Sequence, residues 1–433
     1  MQTTKKTTPE SIPTQPARSI WRDTSSLAGF APLAADTRAD VCVIGAGIAG
    51  LTTAYMLLRE GKSVVVIDSV GVGAGETGRS TAHMFPPDER FAELERGFGS
   101  AKAALVADSY LRATDCVESI VRVEQIDCGF ERLDGFLFNP HGEWDAVLDD
   151  EYAVTTRLGL DVRRFERVPG LHFDTGPCLR FARQAQFHPL QYLTGLARAI
   201  TRLGGSIHDH TRALDIVGAC GRQTVQTGHG AVDAGAVVIA TNVPFMDRYV
   251  RSGAQQSYHS YVIGLRVPKD ALPRCLLWDT GKPYYYVRLA QAAPGATHEV
   301  LLVGGLDQPS RPGPLPQPQA RYDEIEAWSR ARFPSAGQLE YRWSGRVMEP
   351  CDGIALLGRN PMDADNVYII TGDSGNGMTH CTAGAILVTD QILGRINRWS
   401  ELYSPARQPF HGGVRAPATP GARWHGPRFR PSA

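Results

Sequence analysis

The first strong pattern of hydrophobic positions lies in residues 41–68, VCVIGAGIAGLTTAYMLLREGKSVVVID. Apolar residues run continuously through 41–44 and 64–67, as they do in buried parallel strands. Between these runs, apolar residues recur at the helical period at Ile48, Leu51, Tyr55 and Leu58. Gly61 stands where a left-handed residue ends a helix. The pattern therefore predicts a strand, a helix and a second parallel strand.

Further elements are predicted by the same criteria. Helical periodicity and start signals predict helices at 92–126, 143–166, 189–203 and 379–393. Apolar, β-branched and aromatic runs predict strands at 134–138, 213–217, 236–240, 260–267, 283–290, 299–307 and 367–371. The three strands between 260 and 307 are separated by proline and glycine turns, which favours an antiparallel sheet. The chain is therefore assigned to the α/β class with a second, sheet-based domain.

Composition narrows the possible functions. A chain of 433 residues exceeds the usual size of a single core, so two cores are expected. The formal net charge of zero produces no field that attracts nucleic acid or anionic lipid. No apolar run approaches the roughly 20 residues that span a bilayer, and the first 19 residues lack the apolar core of a secretory signal. We expect a cytoplasmic enzyme without a transmembrane segment or a nucleic-acid partner.

Glycines follow the first strand in the spacing Gly-x-Gly-x-x-Gly, at Gly45, Gly47 and Gly50. They allow a tight turn, close approach of the backbone to a pyrophosphate, and close contact between helix and strand. Ile48 and Ala49 belong to the same turn and are assigned to the same site. Asp68 ends the second strand, where a ribose hydroxyl needs an acceptor. The unit predicts dinucleotide binding, and the alternative is an empty turn of the same shape.

Residues 71–84, GVGAGETGRSTAHM, follow directly and are rich in glycine and small hydroxyl residues. Together with AVVIATNVPF at 236–245 and NVYIITGDSGNGMTH at 366–380, they resemble the amine and amino-acid oxidase superfamily of FAD-dependent oxidoreductases. That superfamily includes glycine oxidase, sarcosine oxidase and D-amino-acid dehydrogenase. The resemblance runs from about residue 20 to residue 407 and implies FAD as cofactor. The contacts assigned to FAD in these segments are Thr77, Gly78, Arg79, Ser80, Thr81, His83, Ala240, Thr241, Gly372, Ser374, Gly375, Asn376, Gly377 and Met378.

The resemblance also implies a domain arrangement. A Rossmann-like FAD-binding domain is interleaved with an α+β substrate domain built on an antiparallel sheet. The expected segments are a leader and approach segment at 1–37, FAD-binding segments at 38–110, 175–250 and 340–404, substrate-domain segments at 111–174 and 251–339, and a disordered basic tail at 405–433.

A narrower resemblance is to a bacterial subfamily whose flavin domain is commonly followed by a Rieske iron–sulfur domain. A Rieske centre needs Cys-x-His and Cys-x-x-His spacings, and neither occurs in this sequence. The eight cysteines include no Cys-x-x-Cys pair and are interpreted as buried thiols in a reducing compartment. We therefore expect no metal site. The proline-, glycine- and arginine-rich tail either marks a lost iron–sulfur domain or is a basic linker.

The segment after the strand 367–371 is expected to act on the flavin. A turn containing Gly375 and Gly377 precedes a helix whose N-terminus carries about half a positive charge. In related enzymes this end faces the pyrimidine edge of the flavin, where negative charge collects on reduction. The resemblance therefore implies that the turn stabilises reduced flavin electrostatically.

Substrate contacts are expected on the sheet that forms a roof over the flavin ring. Arg288 is a candidate for pairing with a substrate carboxylate, because a guanidinium binds carboxylates bidentately. Tyr286 and His259 are candidates for the polar lining of the pocket. For each of these three residues, an ordinary role in the core or on the surface remains the alternative.

His83 raises the question of how the flavin is attached. In the related dehydrogenases of sarcosine and dimethylglycine, a histidine after the ribose acid is bonded to the flavin methyl group, and STAH at 80–83 is similar to that segment. Most members of the superfamily bind FAD without such a bond. Both possibilities stay open from the sequence.

The sequence as a whole predicts an FAD-dependent oxidoreductase that oxidises the C–N bond of an amine or amino acid by hydride transfer to flavin N5. Electrons would pass to oxygen, to a quinone or to an acceptor protein. Two alternatives remain: a 2-hydroxy-acid or polyol dehydrogenase on the same scaffold, and a non-catalytic flavin-binding partner subunit.

Overall fold

The structure, a computed structural model, describes residues 18–86, 90–219, 221–243, 255–293, 295–310, 318–361 and 366–407. The α-helices in these ranges are α1 Ile20–Asp23, α2 Ile48–Arg59, α3 Phe91–Phe98, α4 Ser100–Val123, α5 Ala146–Arg157, α6 Pro189–Arg202, α7 Pro318–Arg332, α8 Gly377–Ile392 and α9 Ser400–Tyr403, and Glu76–Arg79 forms a short 3-10 helix. The strands are β1 Thr37–Ile44, β2 Val64–Ile67, β3 His83–Met84, β4 Glu131–Phe138, β5 Val162–Phe165, β6 Cys178–Gln186, β7 Ser206–His208, β8 Ala213–Ala219, β9 Arg222–Thr227, β10 Gly230–Asn242, β11 Gln255–Pro268, β12 Leu276–Asp279, β13 Tyr285–Gln291, β14 His298–Pro309, β15 Leu339–Pro350, β16 Leu356–Arg359 and β17 Val367–Thr371. They form two sheets, which confirms the predicted α/β class.

The first sheet has the order β16-β17-β10-β1-β2-β7, with β9 also pairing with β10 and β8 pairing with β9. Its central pairs are parallel, and β1 lies between β10 and β2. Val41, Cys42 and Val43 are almost completely buried because α-helices and strands cover both faces. The carboxyl ends of β1, β10 and β17 therefore meet at one edge, where ligands bind in open parallel sheets.

The second sheet has the order β15-β11-β14-β13-β12-β4-β6-β3, with β5 also on β6. Its pairs are antiparallel except for β4 and β12. Along β11, Tyr261, Ile263 and Leu265 are fully buried in the core that α7 covers. The alternate residues Ser260 and Val262 face the other way, toward the edge of the first sheet. The predicted antiparallel sheet is confirmed.

The predicted strand–helix–strand unit at 41–68 is confirmed, and two of its glycines are sterically required. Gly45 has a φ of 112°, and a Cβ there would lie 2.5 Å from the carbonyl oxygen of Ala240. A Cβ at Gly50 would lie 1.8 Å from the carbonyl oxygen of Gly45. Gly61 has a φ of 78° and follows the end of α2, as the sequence predicts.

Two predicted helices were wrong in extent. The helix expected at 92–126 is divided into α3 and α4 because Gly99 adopts a left-handed φ of 82°. The helix expected at 143–166 ends at Arg157, and residues 162–165 form β5 on β6 instead. The spacing of apolar residues alone cannot reveal a single glycine with a left-handed conformation or a short edge strand. The helix expected at 379–393 begins two residues earlier, at Gly377.

The expected segment boundaries do not coincide with the two sheets. The strands β3, β6 and β15 all belong to the second sheet. Apart from Leu339, their residues fall within the segments 38–110, 175–250 and 340–404, which the sequence assigned to the FAD-binding domain. The reason is that the residues of a strand do not by themselves specify the sheet in which it pairs.

Both ends of the described chain are packed more closely than the sequence suggested. In the expected approach segment that follows the polar leader, Ile20 and Trp21 are buried at the start of α1. In the expected tail, Arg407 binds Asp352 through two hydrogen bonds of 2.7 and 2.8 Å, and both side chains are buried. The predicted disordered tail therefore does not begin at residue 405. Residues 408–433, the rest of that prediction, lie outside the described residues.

The cysteines in the described part of the chain are all unpaired. Cys42, Cys128, Cys178 and Cys275 are buried, and burial raises the pKa of each thiol to about 12. Cys351 is exposed, so the expectation of buried thiols was wrong at that position. Within the same residues, no helix combines the length and the apolar character that crossing a bilayer requires.

Candidate functional site

A cavity of about 300 Å³ lies between the carboxyl edge of the first sheet and the second sheet. It gathers most of the predicted cofactor residues, which come from segments far apart in the chain. Those that line it are Gly45, Gly47, Ile48, Ala49, Asp68, Thr77, Arg79, Ser80, Thr81, His83, Ala240, Thr241, Gly375, Gly377 and Met378. Gly50, Gly78, Gly372, Ser374 and Asn376 lie behind this lining.

The turn after β1 presents backbone rather than side chains to the cavity. Gly47 precedes α2, and a Cβ at this position would lie 3.1 Å from the Thr77 hydroxyl. That hydroxyl accepts a hydrogen bond from the amide of Ile48 at 3.1 Å. The next amides of the first helical turn have no intrahelical partner, and Ile48 and Ala49 line the cavity. The turn can therefore hold a phosphate group.

Asp68 is fixed by backbone amides at the end of β2. One carboxylate oxygen accepts from Ala46 at 2.8 Å, and the other accepts from Val70 and Gly71 at 2.8 and 2.9 Å. The side chain remains partly open to the cavity. A carboxylate has about four lone-pair sites, so this oriented group can still accept a hydrogen bond from a ribose hydroxyl.

His83 is buried in the cavity wall and its ring is neutral. Nδ1 lies 3.0 Å from the Thr81 hydroxyl, and Nε2 lies 3.4 Å from the carbonyl oxygen of Val287. Burial, followed by the charge of Arg288, lowers the pKa of His83 to about 3. Both ring nitrogens therefore have partners within the protein.

The turn before α8 combines a helix N-terminus with a carboxyl group. Asp373 lines the cavity, and one of its carboxylate oxygens accepts from the amide of Met348 at 3.3 Å. Burial raises the pKa of Asp373 to about 7. Ser374 follows with a left-handed φ of 45°, which turns the chain so that α8 begins at Gly377. The predicted helix N-terminus is thus at the cavity, with an acid that the prediction did not include.

His380 extends this polar group to the back of α8. Its Nδ1 lies 2.8 Å from the carbonyl oxygen of Asp373, which can only accept, so Nδ1 carries the proton. Nε2 lies 3.1 Å from the hydroxyl of Tyr110 on α4. Burial lowers the pKa of His380 to about 4. The ring is neutral and joins the cavity wall to the helix behind it.

The opposite wall is built from side chains of the second sheet. The Tyr286 ring lies across Gly304, where a Cβ would meet it at 2.3 Å. Its hydroxyl reaches the Ser260 hydroxyl on β11 at 3.1 Å. Tyr284 lies beside it, with ring centroids 6.0 Å apart. Gly304 thus creates the space that lets Tyr286 lie flat on the sheet.

Aromatic rings continue from this wall toward β3. The centroid of His83 lies 5.5 Å from that of Tyr286 and 5.2 Å from that of Phe85. Together with Tyr284, these residues form an uncharged aromatic surface at the cavity. Such surfaces attract alkylammonium groups through cation–π interactions.

Two of the three substrate candidates are not in the cavity. Arg288 is buried behind the cavity wall and donates to the carbonyl oxygens of Thr81 and Ala82 at 2.8 and 2.9 Å. His259 is not among the residues that line the cavity, whereas its neighbour Ser260 is. The structure therefore places neither Arg288 nor His259 in the lining where the sequence predicted substrate contacts. Tyr286 is in the cavity, as expected.

The prediction missed several residues of the lining. Side chains that it did not assign to the site are Glu76, Phe85, Asn242, Arg346, Val347, Asp373, His380 and Cys381. Asp373 and His380 belong to the segment 366–380, which the sequence had already assigned to the flavin, so both could have been predicted as site residues. Arg346 and Val347 lie on β15, and nothing in the sequence indicates that this strand borders the cavity.

The residues present fit an FAD molecule. The glycine turn leaves room for a pyrophosphate that a Cβ would narrow, and Asp68 is oriented as a ribose acceptor. The turn before α8 directs a helix N-terminus to the same cavity. Within the described residues, the Asn242 side-chain amide nitrogen is buried in the lining without a hydrogen-bond partner, as expected for a group that meets a polar ligand edge.

Comparisons with known proteins agree with FAD as the cofactor. A family model described as "FAD dependent oxidoreductase" matches residues 40–391. The putative Rieske 2Fe-2S iron-sulfur protein YhfW of Bacillus subtilis is 28% identical over 90% of this chain and 75% of its own length. Gamma-glutamylputrescine oxidoreductase of Escherichia coli is 25% identical over 90% and 93%. The crystal structure of glycine oxidase from Geobacillus kaustophilus superposes with a TM-score of 0.70 at 19% identity, over 86% of this chain and 99% of that one.

Proposed function

The chain belongs to the FAD-dependent oxidoreductase family, and on that basis we propose that it oxidises the C–N bond of an amine or amino acid. When bound, FAD supplies at N5 an acceptor for the hydride that leaves the substrate carbon. The aromatic surface of the second sheet carries the substrate proposal, because it is uncharged and suits a cationic or neutral amine. The name of the Escherichia coli relative, an oxidoreductase of an amine, supports the same class.

The protein's own side chains orient the substrate in this proposal. Tyr284 and Tyr286 form the surface against which the carbon next to nitrogen lies, and Ser260 holds the Tyr286 hydroxyl in place. Arg346 lines the cavity on β15 and provides a positive charge for an acidic group elsewhere in the substrate. Catalysis then consists mainly of orientation and exclusion of water.

FAD is bound without a covalent bond to His83 in this proposal. Both ring nitrogens of His83 already have partners in the protein, at Thr81 and Val287. Acid precipitation tests the point, because noncovalent flavin passes completely into the supernatant. Flavin that stays in the pellet, and disappears from it in His83→Ala, would overturn it.

The substrate class is tested by anaerobic bleaching of the purified yellow protein. A panel of amines, amino acids, 2-hydroxy acids and polyols is added under nitrogen, and the loss of flavin absorbance is followed. We expect bleaching by amines or amino acids. Bleaching by hydroxy acids or polyols alone would favour the dehydrogenase alternative, and FAD that no compound reduces would favour a non-catalytic subunit. Readmission of oxygen, or addition of a quinone, then identifies the acceptor class.

A further inference from the structure

The segment at 78–82, the end of a 3-10 helix at Glu76–Arg79 and the loop that follows it, is held by an unusual set of hydrogen bonds. Five successive backbone carbonyls each accept a hydrogen bond from a side chain elsewhere in the chain. The donors are Ser19 to Gly78 at 2.8 Å, Trp343 to Arg79 at 2.6 Å, Trp21 to Ser80 at 2.6 Å, and Arg288 to Thr81 and Ala82 at 2.8 and 2.9 Å. A regular strand or helix would satisfy such carbonyls with backbone amides. This loop depends on side chains instead.

The donors approach the loop from the side away from the cavity. Arg79, Ser80 and Thr81 line the cavity, whereas the residues that bind their carbonyls do not. The loop therefore lies between the cavity and the side chains that donate hydrogen bonds to its carbonyls. Its shape on the cavity side is determined by where those donors lie.

Arg288 makes the largest number of these contacts. It is 4% exposed, and it also donates to the carbonyl oxygens of Phe187 and Leu289, each at 3.2 Å. Its guanidinium lies 5.3 Å from the centre of the Trp21 ring. Burial lowers its pKa to about 9, and Glu131 attracts the guanidinium electrostatically without forming a direct ion pair with it among the described residues. A buried cation is costly, so its bonds to four carbonyls are the reason it is tolerated here.

The loop needs this support at Ala82. Ala82 has a φ of 54°, a left-handed conformation that a residue with a Cβ rarely adopts. Arg288 donates to the carbonyl oxygens of the two peptide groups that flank the Ala82 Cα, those of Thr81 and of Ala82 itself. The next residue is His83, whose ring lies in the cavity wall. The strained position is thus the one that orients the flavin-facing side chain.

We infer that Arg288, supported by Trp21, is a positioning residue for FAD, which holds the loop at 78–83 in the shape that faces the cofactor. The inference goes beyond the proposed function because it concerns the cofactor and makes no use of the substrate. It also assigns Arg288 a role different from pairing with a substrate carboxylate.

Substitution of Arg288 tests the inference through FAD affinity. Apoprotein of Arg288→Lys and Arg288→Met is titrated with FAD, and the dissociation constant, the visible absorption spectrum and the flavin midpoint potential are measured. We expect at least a tenfold higher dissociation constant and a shifted spectrum in both variants. Lysine keeps the charge but cannot reach four carbonyls from one planar group, so its failure identifies geometry as the cause. Arg266→Met, at an exposed ion pair on the same sheet, is the matched control and should bind FAD normally.

Three results would overturn the inference. One is wild-type FAD affinity and spectrum in both Arg288 variants. Another is a lower melting temperature of the apoprotein with unchanged FAD affinity of the folded fraction, which would show a structural role only. The third is unchanged FAD binding with a higher KM for amino acids and not for simple amines, which would show a carboxylate contact.

A second variant covers the case in which the Arg288 substitutions prevent folding. Trp21→Phe keeps an aromatic ring beside the guanidinium but removes the donor to the Ser80 carbonyl. We expect a threefold to tenfold weaker FAD affinity and a shifted flavin spectrum, with the apoprotein still folded by circular dichroism. Wild-type affinity and spectrum in Trp21→Phe would contradict the inference.

Discussion

The two walls of the cavity differ in composition: one is mainly backbone and the other is mainly side chains. On the first sheet, the wall consists largely of backbone: Gly45 and Gly47 before α2, Gly375 before α8, and Gly377 at the first position of α8. On the second sheet, the wall consists of side chains, among which Tyr286 is central. A backbone wall binds groups common to every FAD molecule, whereas a side-chain wall can change with the substrate. The comparison predicts that substitutions on the first wall abolish cofactor binding and that those on the second alter turnover.

The largest effect is expected at Gly50, behind the first wall. In Gly50→Ala the new methyl group would lie 1.8 Å from the Gly45 carbonyl oxygen, so α2 must move away from β1. We expect no bound flavin and a low soluble yield. Flavin content per purified chain measures the effect. Gly61→Asn is the matched control, because this glycine has a φ of 78° that asparagine tolerates and no atoms near its Cβ position. Stoichiometric flavin in Gly50→Ala would show that the backbone wall is more adaptable than its geometry indicates.

The difference between the walls also explains what the sequence could predict. The first wall needs glycine at fixed spacing for steric reasons, so Gly45, Gly47 and Gly377 could be assigned without a structure. Asp68 follows from the same unit because it ends the neighbouring strand. Requirements of this local kind can be recognised directly from residue type and spacing.

The residues of the second wall are harder to predict from the sequence, because they depend on which face of each strand is turned toward the cavity. On β11 the prediction included His259, but Ser260 and Val262 have the inward alternation. On β13 the alternation was right, since Arg288 is two residues from Tyr286. Two residues advance a strand by about 7 Å, and that step carries Arg288 past the cavity and beneath the loop at 78–82. Neither fact can be derived without the pairing register.

The second wall is tested most strongly at Gly304. A methyl group in Gly304→Ala would overlap the Tyr286 ring, whose nearest atoms lie 2.3 to 2.4 Å from the Cβ position. The ring must rise into the cavity and leave Ser260. We expect normal FAD binding with kcat/KM lower by about a hundredfold, because a shift of about 1 Å in a positioned substrate has that effect. Gly228→Ala, with open space at its Cβ position, should match the wild type. Loss of FAD from Gly304→Ala would mean that the walls are not separable.

The stability of the folded protein is expected to fall in acid because of His380, which lies on α8 in the first wall. The folded protein keeps this ring neutral with a pKa of about 4, whereas an unfolded histidine has a pKa of about 6.5. Between these values the unfolded chain binds a proton that the folded chain does not, so stability contributed by His380 is lost as the pH falls from 6.5 toward 4. At pH 5 the loss is about 2 kcal/mol.

Urea unfolding of wild type and His380→Gln at pH 7 and pH 5 measures this contribution. Glutamine can donate to the Asp373 carbonyl and accept from Tyr110, so the variant should fold. We expect the variant to lose about 2 kcal/mol less than the wild type between the two pH values. The comparison uses the difference between proteins because Glu151, with a pKa that burial raises to about 7, gains stability over the same interval. Equal acid sensitivity of both proteins would place the charge change elsewhere.

The smallest effects are expected from a pair of neighbours on β11 that separate the two faces of the second sheet. In Ser260→Ala, Tyr286 loses a hydrogen bond of 3.1 Å, which is worth about 1 kcal/mol, so kcat/KM should fall about fivefold. In His259→Ala, the removed side chain is not part of the cavity lining, and kcat/KM should stay within about twofold of the wild type. Both variants should bind FAD normally, since neither residue belongs to the backbone wall. A larger effect of His259→Ala than of Ser260→Ala would reverse the assigned face of β11. The register of the whole side-chain wall, including the position of Tyr286 over Gly304, would then have to be revised, because a one-residue shift moves every side chain to the opposite face.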